Sequence, residues 1–136
     1  MEFGLVVPLL CFLLLVLVDF GKFMNYWLDL THVANYGARL AAVDTDLGKA
    51  PFSSSLSLQA FIQHQAETEE LRGATVCISF PTGDQSAGSP VKVQVSYDYK
   101  LVPLLDSLVS RTLTVRGSAT MRLEHLPEHF SAGCTS

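Results

Sequence analysis

The chain has 136 residues, 49% of them hydrophobic and 16% charged, with 13 acidic against 9 basic side chains and a formal charge of −4. The length allows one domain, and an apolar fraction this high with so few charges excludes an intrinsically disordered chain. A mildly acidic balance without a Lys/Arg run excludes a protein that works by neutralising a phosphate backbone.

The apolar residues are concentrated at the start. Phe3 to Val18 is sixteen residues without a charge, bounded by Glu2 and Asp19. A secretory signal would need a basic stretch before this run and a small-residue cleavage site after it; here Glu2 precedes and DFGKFMNYW follows. A buried core helix would show polar positions at helical spacing, whereas LLCFLLLVLV is apolar all round. A membrane span remains. Sixteen residues at helical rise reach only about 24 Å, against about 30 Å of hydrocarbon. Either the chain continues apolar past Asp19 through Phe20, Phe23 and Met24, or residues precede Met1.

From Asp19 to Val43 a helical period persists, with Phe20, Phe23, Trp27, Leu30, Ala34, Ala38 and Ala41 assigned to one stripe. One helix is therefore predicted from Phe3 to Val43, about 60 Å long, with Lys22, Asn25, Asp29, His32 and Arg39 suited to water in its outer half. Asp44, Asp46, Gly48 and Pro51 end it. Ser53 to Ser57 offers several N-caps for a second helix, about Leu56 to Leu71. Glu67, Glu69 and Glu70 then read as its solvated face.

The period next changes to two. Val91, Val93, Val95, Tyr97 and Tyr99 alternate with polar residues, as do Leu113, Val115, Gly117, Ala119, Met121 and Leu123. Ala74, Val76, Ile78 and Phe80 set a third strand, followed by the loop PTGDQSAGSP. The expected fold class is α+β: a long N-terminal helix, transmembrane in its first half and amphipathic in its second, packed on an antiparallel sheet of at least three strands. The division is residues 1–24 in the membrane and 25–136 in the water-exposed domain.

No catalytic constellation stands out. His125-Leu126-Pro127-Glu128-His129 matches the H-x-x-E-H pattern of inverted zinc peptidases, which needs both His on one helix face with Glu as base. Pro127 interrupts that helix, and only seven residues follow His129. His32 and His64 read as ordinary helix residues. There is no G-x-S-x-G, P-loop or paired C-x-x-C motif. The expectation is a protein that is not an enzyme and uses no metal, cofactor or small-molecule substrate.

A long helix followed by a small sheet is the arrangement of a pilin-type subunit, and the residues point to one branch. Glu2-Phe3, Pro8, Asp19-Phe20-Gly21 and Gly37-Ala38-Arg39 occur in the order in which the TadE-like minor pilins of bacterial tight-adherence (Tad) systems carry an acidic–aromatic pair, an early proline, an aspartate-aromatic-glycine step and a G-A-R triplet. The closing stretch Ala119-Thr120-Met121-Arg122-Leu123-Glu124 is similar to that family's last strand. The chain thus resembles a TadE-like minor pilin, or pseudopilin, over most of its length, most strongly in the first 43 residues.

The resemblance implies a structural subunit for assembly, tip or priming of an adhesion pilus. It would sit as a single-pass protein in the bacterial inner membrane, with its sheet outside the cytoplasm. Its partners would be other pilin subunits and the inner-membrane Tad machinery. The alternative is a membrane-anchored extracytoplasmic binding module that joins no filament. The resemblance also implies that Glu2 pairs with a neighbouring subunit's N-terminal ammonium, since a carboxylate in hydrocarbon costs on the order of 3 kcal/mol; otherwise Glu2 is the water-side flank of the span. Phe3 and Pro8 belong to the same packing region. Pro8 removes a helical N–H and crowds the Gly4 carbonyl, so it either lets the helix bend during assembly or is an ordinary membrane proline.

Two further expectations concern the start and the cysteines. Members of the family carry a basic leader and a glycine at the cleavage point, so Met1 is expected to stand where an internal valine codon GTG was read as an initiator, against the alternative of a real start or a trimmed chain. Full-length chain is expected to partition with membranes, and a version beginning near Lys22 to be soluble and folded. Of the three cysteines, Cys11 lies in the span. Period two places Cys77 opposite the covered face of its strand, where a free thiol in an oxidising compartment would be exposed. A Cys77–Cys134 disulfide is therefore expected, pinning HLPEHFSAGCTS across the outer face of the sheet, against the alternative of two free thiols.

Overall fold

The computed structural model describes residues 3–100 and 112–135, Leu5 by its backbone only. Helix α1 runs without a break from Phe3 to Ala42, 40 residues. It is followed by α2 (Leu58–His64), one 3-10 turn (Glu69–Gly73) and strands β1 (Thr75–Ser79), β2 (Pro90–Tyr99), β3 (Leu113–Arg122) and β4 (Gly133–Cys134). The strands form one antiparallel sheet in the order β3-β2-β1-β4. The architecture is α+β, with the outer half of α1 lying across one face of the sheet.

Periodicity explains that packing. Val91, Val93 and Val95 alternate with half-exposed neighbours, as do Val115, Gly117 and Ala119 with exposed ones, so both long strands turn one face toward α1. Leu30, Val33, Ala34, Ala38 and Ala41 of α1 meet them in a closed core. Gly117 allows the closest approach: a Cβ there would lie 2.5 Å from the carbonyl carbon and oxygen of Leu30. Gly37 performs a similar service for α2, since a Cβ would fall 2.7 Å from Ile62 Cδ1. Gly37 and Ala38 are buried and Arg39 is exposed, so the G-A-R triplet marks the place where α1 is sandwiched between α2 and the sheet.

The stripe on α1 is rotated from the expected one. Phe20 and Trp27 are 60% and 43% exposed, while Asp19, Phe23, Tyr26, Leu30, Val33 and Gly37 recur three or four apart on the side that meets the domain. The second helix is also shorter than the expected Leu56 to Leu71. Ser57 caps it by accepting from the Ala60 N–H at 3.3 Å, and it ends at His64. Groups on α1 bond the residues that follow α2: Asp29 accepts from the Thr68 N–H at 3.3 Å, and Tyr26 donates its O–H to Glu70. The three glutamates are exposed, but they sit around this turn and not on a helix face.

The tail takes a different course from the one expected. After β3, Glu124 N–H bonds the Ala42 carbonyl at 2.8 Å, capping the end of α1. Gln59 of α2 donates to the Ser131 carbonyl at 2.8 Å, and Phe130 stacks on Phe80 with centroids 6.1 Å apart. The chain then enters the plane of the sheet as β4, beside β1. It wraps the far end of the helices and closes a sheet edge, where main-chain pairing offers hydrogen bonds that a path across the outer face does not.

Candidate functional site

The direction of α1 sets the geometry of the site. Residues Phe3 to Val18 touch little of the domain, and all those whose side chains are described are exposed except the half-exposed Leu15. The helix passes through Pro8 without interruption. Phe3 opens it and is 85% exposed, and among the described residues nothing beyond the helix's own backbone lies within 4 Å of a Cβ placed on Gly4. Glu2, the expected assembly carboxylate, lies outside the described residues. Phe3 and Pro8 are thus on a bare helix, available to lipid or to another chain, and neither meets Cys77 or Cys134.

At the foot of the domain the helix meets the sheet through polar groups. Asp19 is 5% exposed, and its carboxyl accepts the Tyr99 O–H at the end of β2. Burial, and then this hydrogen bond, push the Tyr99 hydroxyl above the ordinary tyrosine range. Phe23 and Tyr26 pack edge-on against the Tyr99 ring at 5.9 and 5.4 Å, and Tyr26 meets Tyr97 at 6.1 Å. Tyr26 also donates its O–H to Glu70 in the 3-10 turn. An aromatic collar therefore joins α1, β2 and the 3-10 turn where the bare helix enters the domain.

The sequence marks Asp19 as the end of the apolar run and as the first residue of the Asp19-Phe20-Gly21 step, but not as a residue that faces the sheet. The three-or-four spacing Asp19, Phe23, Tyr26, Leu30 carried the missing signal, since it continues the sheet-facing stripe back to the carboxylate.

The far end of the domain is held by the tail. The Cys77 and Cys134 sulfurs are bonded, their residues being direct cross-strand partners in β1 and β4. Asp44 follows α1 with φ of 50°, a left-handed conformation open to aspartate at a helix end. Its carboxylate accepts from the Glu128 and His129 N–H groups, both at 3.1 Å, and from the His129 ring Nδ1 at 2.8 Å. Burial works to raise Asp44, but these hydrogen bonds from His129 and Glu128 outweigh it and hold the carboxyl below its ordinary value. The bond to Asp44 raises His129 in turn. His125 and His129 of the H-x-x-E-H stretch thus lie in non-helical chain, with the His129 ring turned to Asp44.

The arrangement is one helix, bare and apolar in its first half and fixed in its second half to a disulfide-closed domain. No curated protein and no solved structure matches the chain. A family does: the model described as TadE-like protein matches residues 1–39, from the N-terminus through the G-A-R triplet, and over that helix the chain is similar to TadE-like proteins.

Proposed function

We propose that the chain is a structural subunit, a minor pilin or pseudopilin of a Tad-type adhesion pilus, and not an enzyme. The observation that supports this most is that residues 1–39 match the TadE-like family while the first half of the same helix is bare and apolar. A helix of that composition can span a bilayer, so the subunit waits in the inner membrane with its sheet outside the cytoplasm. On assembly the bare half exchanges lipid for other subunits, and Glu2, Phe3 and Pro8 enter that packing. Partners are other pilin subunits and the inner-membrane Tad machinery.

The test is shearing of surface filaments from cells producing the native chain. Enrichment of the chain in the sheared fraction, dependent on the secretion ATPase, is the expected result. Retention wholly in the membrane fraction while filaments are shed would overturn filament incorporation and favour a membrane-anchored binding module.

A further inference from the structure

The burial of Asp19 leaves one flank of α1 apolar well beyond it. Phe20, Met24, Trp27 and Leu28 are 60%, 36%, 43% and 58% exposed. Successive steps of four, three and one residues keep them on one side of the helix. They continue, without an intervening exposed charge on that side, the bare apolar segment that ends at Val18. Lys22 and Asn25 are exposed on the opposite flank, and Asp19 turns inward to Tyr99.

We infer that the membrane boundary lies at Trp27 and Leu28 and not at Asp19, and that the Phe20-Met24-Trp27-Leu28 flank of the domain is seated in the lipid interface. This rests on the reading of α1 as a membrane anchor. Continuity with the span identifies lipid as the occupant: the exposed apolar surface runs unbroken from the bare segment through Phe20, Met24, Trp27 and Leu28. Trp27 and the Tyr97-Tyr99 end of the sheet then fall at the level where amphipathic aromatic side chains are favoured. Because the other flank is polar, the helix leans toward its apolar side, with the Lys22 ammonium reaching outward to the headgroups. The Asp19–Tyr99 bond makes this possible, since it removes from lipid the one carboxyl that would otherwise fix the boundary at residue 19.

The chain carries its own probes: Trp27 is its single tryptophan and Cys11 its one free cysteine. Full-length protein is reconstituted in phosphatidylcholine vesicles whose acyl chains carry bromine either near the glycerol or near the chain ends. Cys11 is challenged with a charged maleimide. The expected result is an unreactive Cys11, blue-shifted Trp27 emission, and stronger quenching by shallow than by deep bromines. Met24→Lys with Leu28→Lys, both at exposed positions, should move Trp27 toward water while Cys11 stays protected. An unreactive Cys11 with water-like, unquenched Trp27 would overturn this inference and leave the membrane anchor standing. A reactive Cys11 would remove the anchor itself, and the inference with it. Blue-shifted emission that bromines do not quench and that reverts on dilution into excess lipid would assign the flank to a second copy, which also overturns it.

Discussion

The two halves of α1 are made of one continuous helix but answer to different surroundings. From Phe3 to Val18 the side chains described are exposed all round the helix except the half-exposed Leu15. From Leu30 to Ala42 the buried side is mostly Ala, Val and Gly, small enough for a helix to lie flat on a sheet. The first half is selected by what is outside the molecule and the second by what is inside it. Substitutions should therefore act on separate observables: those in the bare half on membrane retention and filament incorporation, those in the packed half on folding of the domain.

The largest expected effect lies in the packed region but far from α1. Cys77 and Cys134 are 57 residues apart in sequence, and closing a loop of that size stabilises by about 4 kcal/mol on the chain-entropy model. Cys134→Ser should lower the domain's stability by that order and free β4 from the sheet edge, read by thermal unfolding in detergent. An unchanged midpoint would show that β4 and its contacts hold the edge without the bridge. Next comes Gly117→Ala. With Leu30 backbone 2.5 Å from the new Cβ, strand and helix must separate, at about 2 kcal/mol. Gly4→Ala, which meets nothing within 4 Å, is the paired control in the bare half and should leave the domain's midpoint where it was. Equal effects from the two glycines would break the division drawn here.

These two regions were not equally legible in the sequence. The strands were readable because a sheet with one covered face writes its burial directly into alternate residues, and Val91-Val93-Val95 has no other simple reading. The apolar run was readable as a helix able to cross a bilayer, because sixteen uncharged residues in a row are rare in a water-soluble helix. The rotation of the α1 stripe was not. Aromatic residues every three or four positions suggest a core face, yet Phe20 and Trp27 are turned outward and Asp19 inward, because Tyr99, 80 residues away in sequence, supplies the partner that makes burying a carboxyl tolerable. The path after α2 was hidden for the same reason: Thr68 and Glu70 are bonded by Asp29 and Tyr26 on another helix. The expected tail path missed the sheet edge because a two-residue strand has no period to detect.

The Asp19–Tyr99 bond lies on the border between the two regions, and Tyr99→Phe tests which one it serves. Removing the hydroxyl leaves a buried carboxyl without its donor, costing about 2 kcal/mol of domain stability. Adding Asp19→Leu should restore most of that loss, since replacing both partners by apolar groups removes the unsatisfied one. A double variant as unstable as the single one would mean that Asp19 has a structural role independent of Tyr99.

The smallest effect is expected at the opposite end, where the exposed His129 ring meets Asp44. A histidine raised above its ordinary 6.5 gives its stabilisation in full below that value and loses it as pH rises through the raised one. An aspartate lowered below 3.8 gives its stabilisation above that value and loses it as pH falls through the lowered one. The clasp is therefore strongest between 3.8 and 6.5 and weakens on either side. Histidine ring resonances of the full chain in micelles should place the His129 midpoint above 6.5, and Asp44→Asn should bring it back toward that value. Because His129 is exposed, solvent screens the pair and the global unfolding midpoint should scarcely move with pH across neutrality. The local readout is the tail, whose amides from Glu128 to Phe130 should lose protection in Asp44→Asn, because the same carboxylate holds both the ring and the two backbone N–H groups. A His129 midpoint unchanged by Asp44→Asn would detach the ring from the clasp and leave the backbone bonds to hold the tail alone.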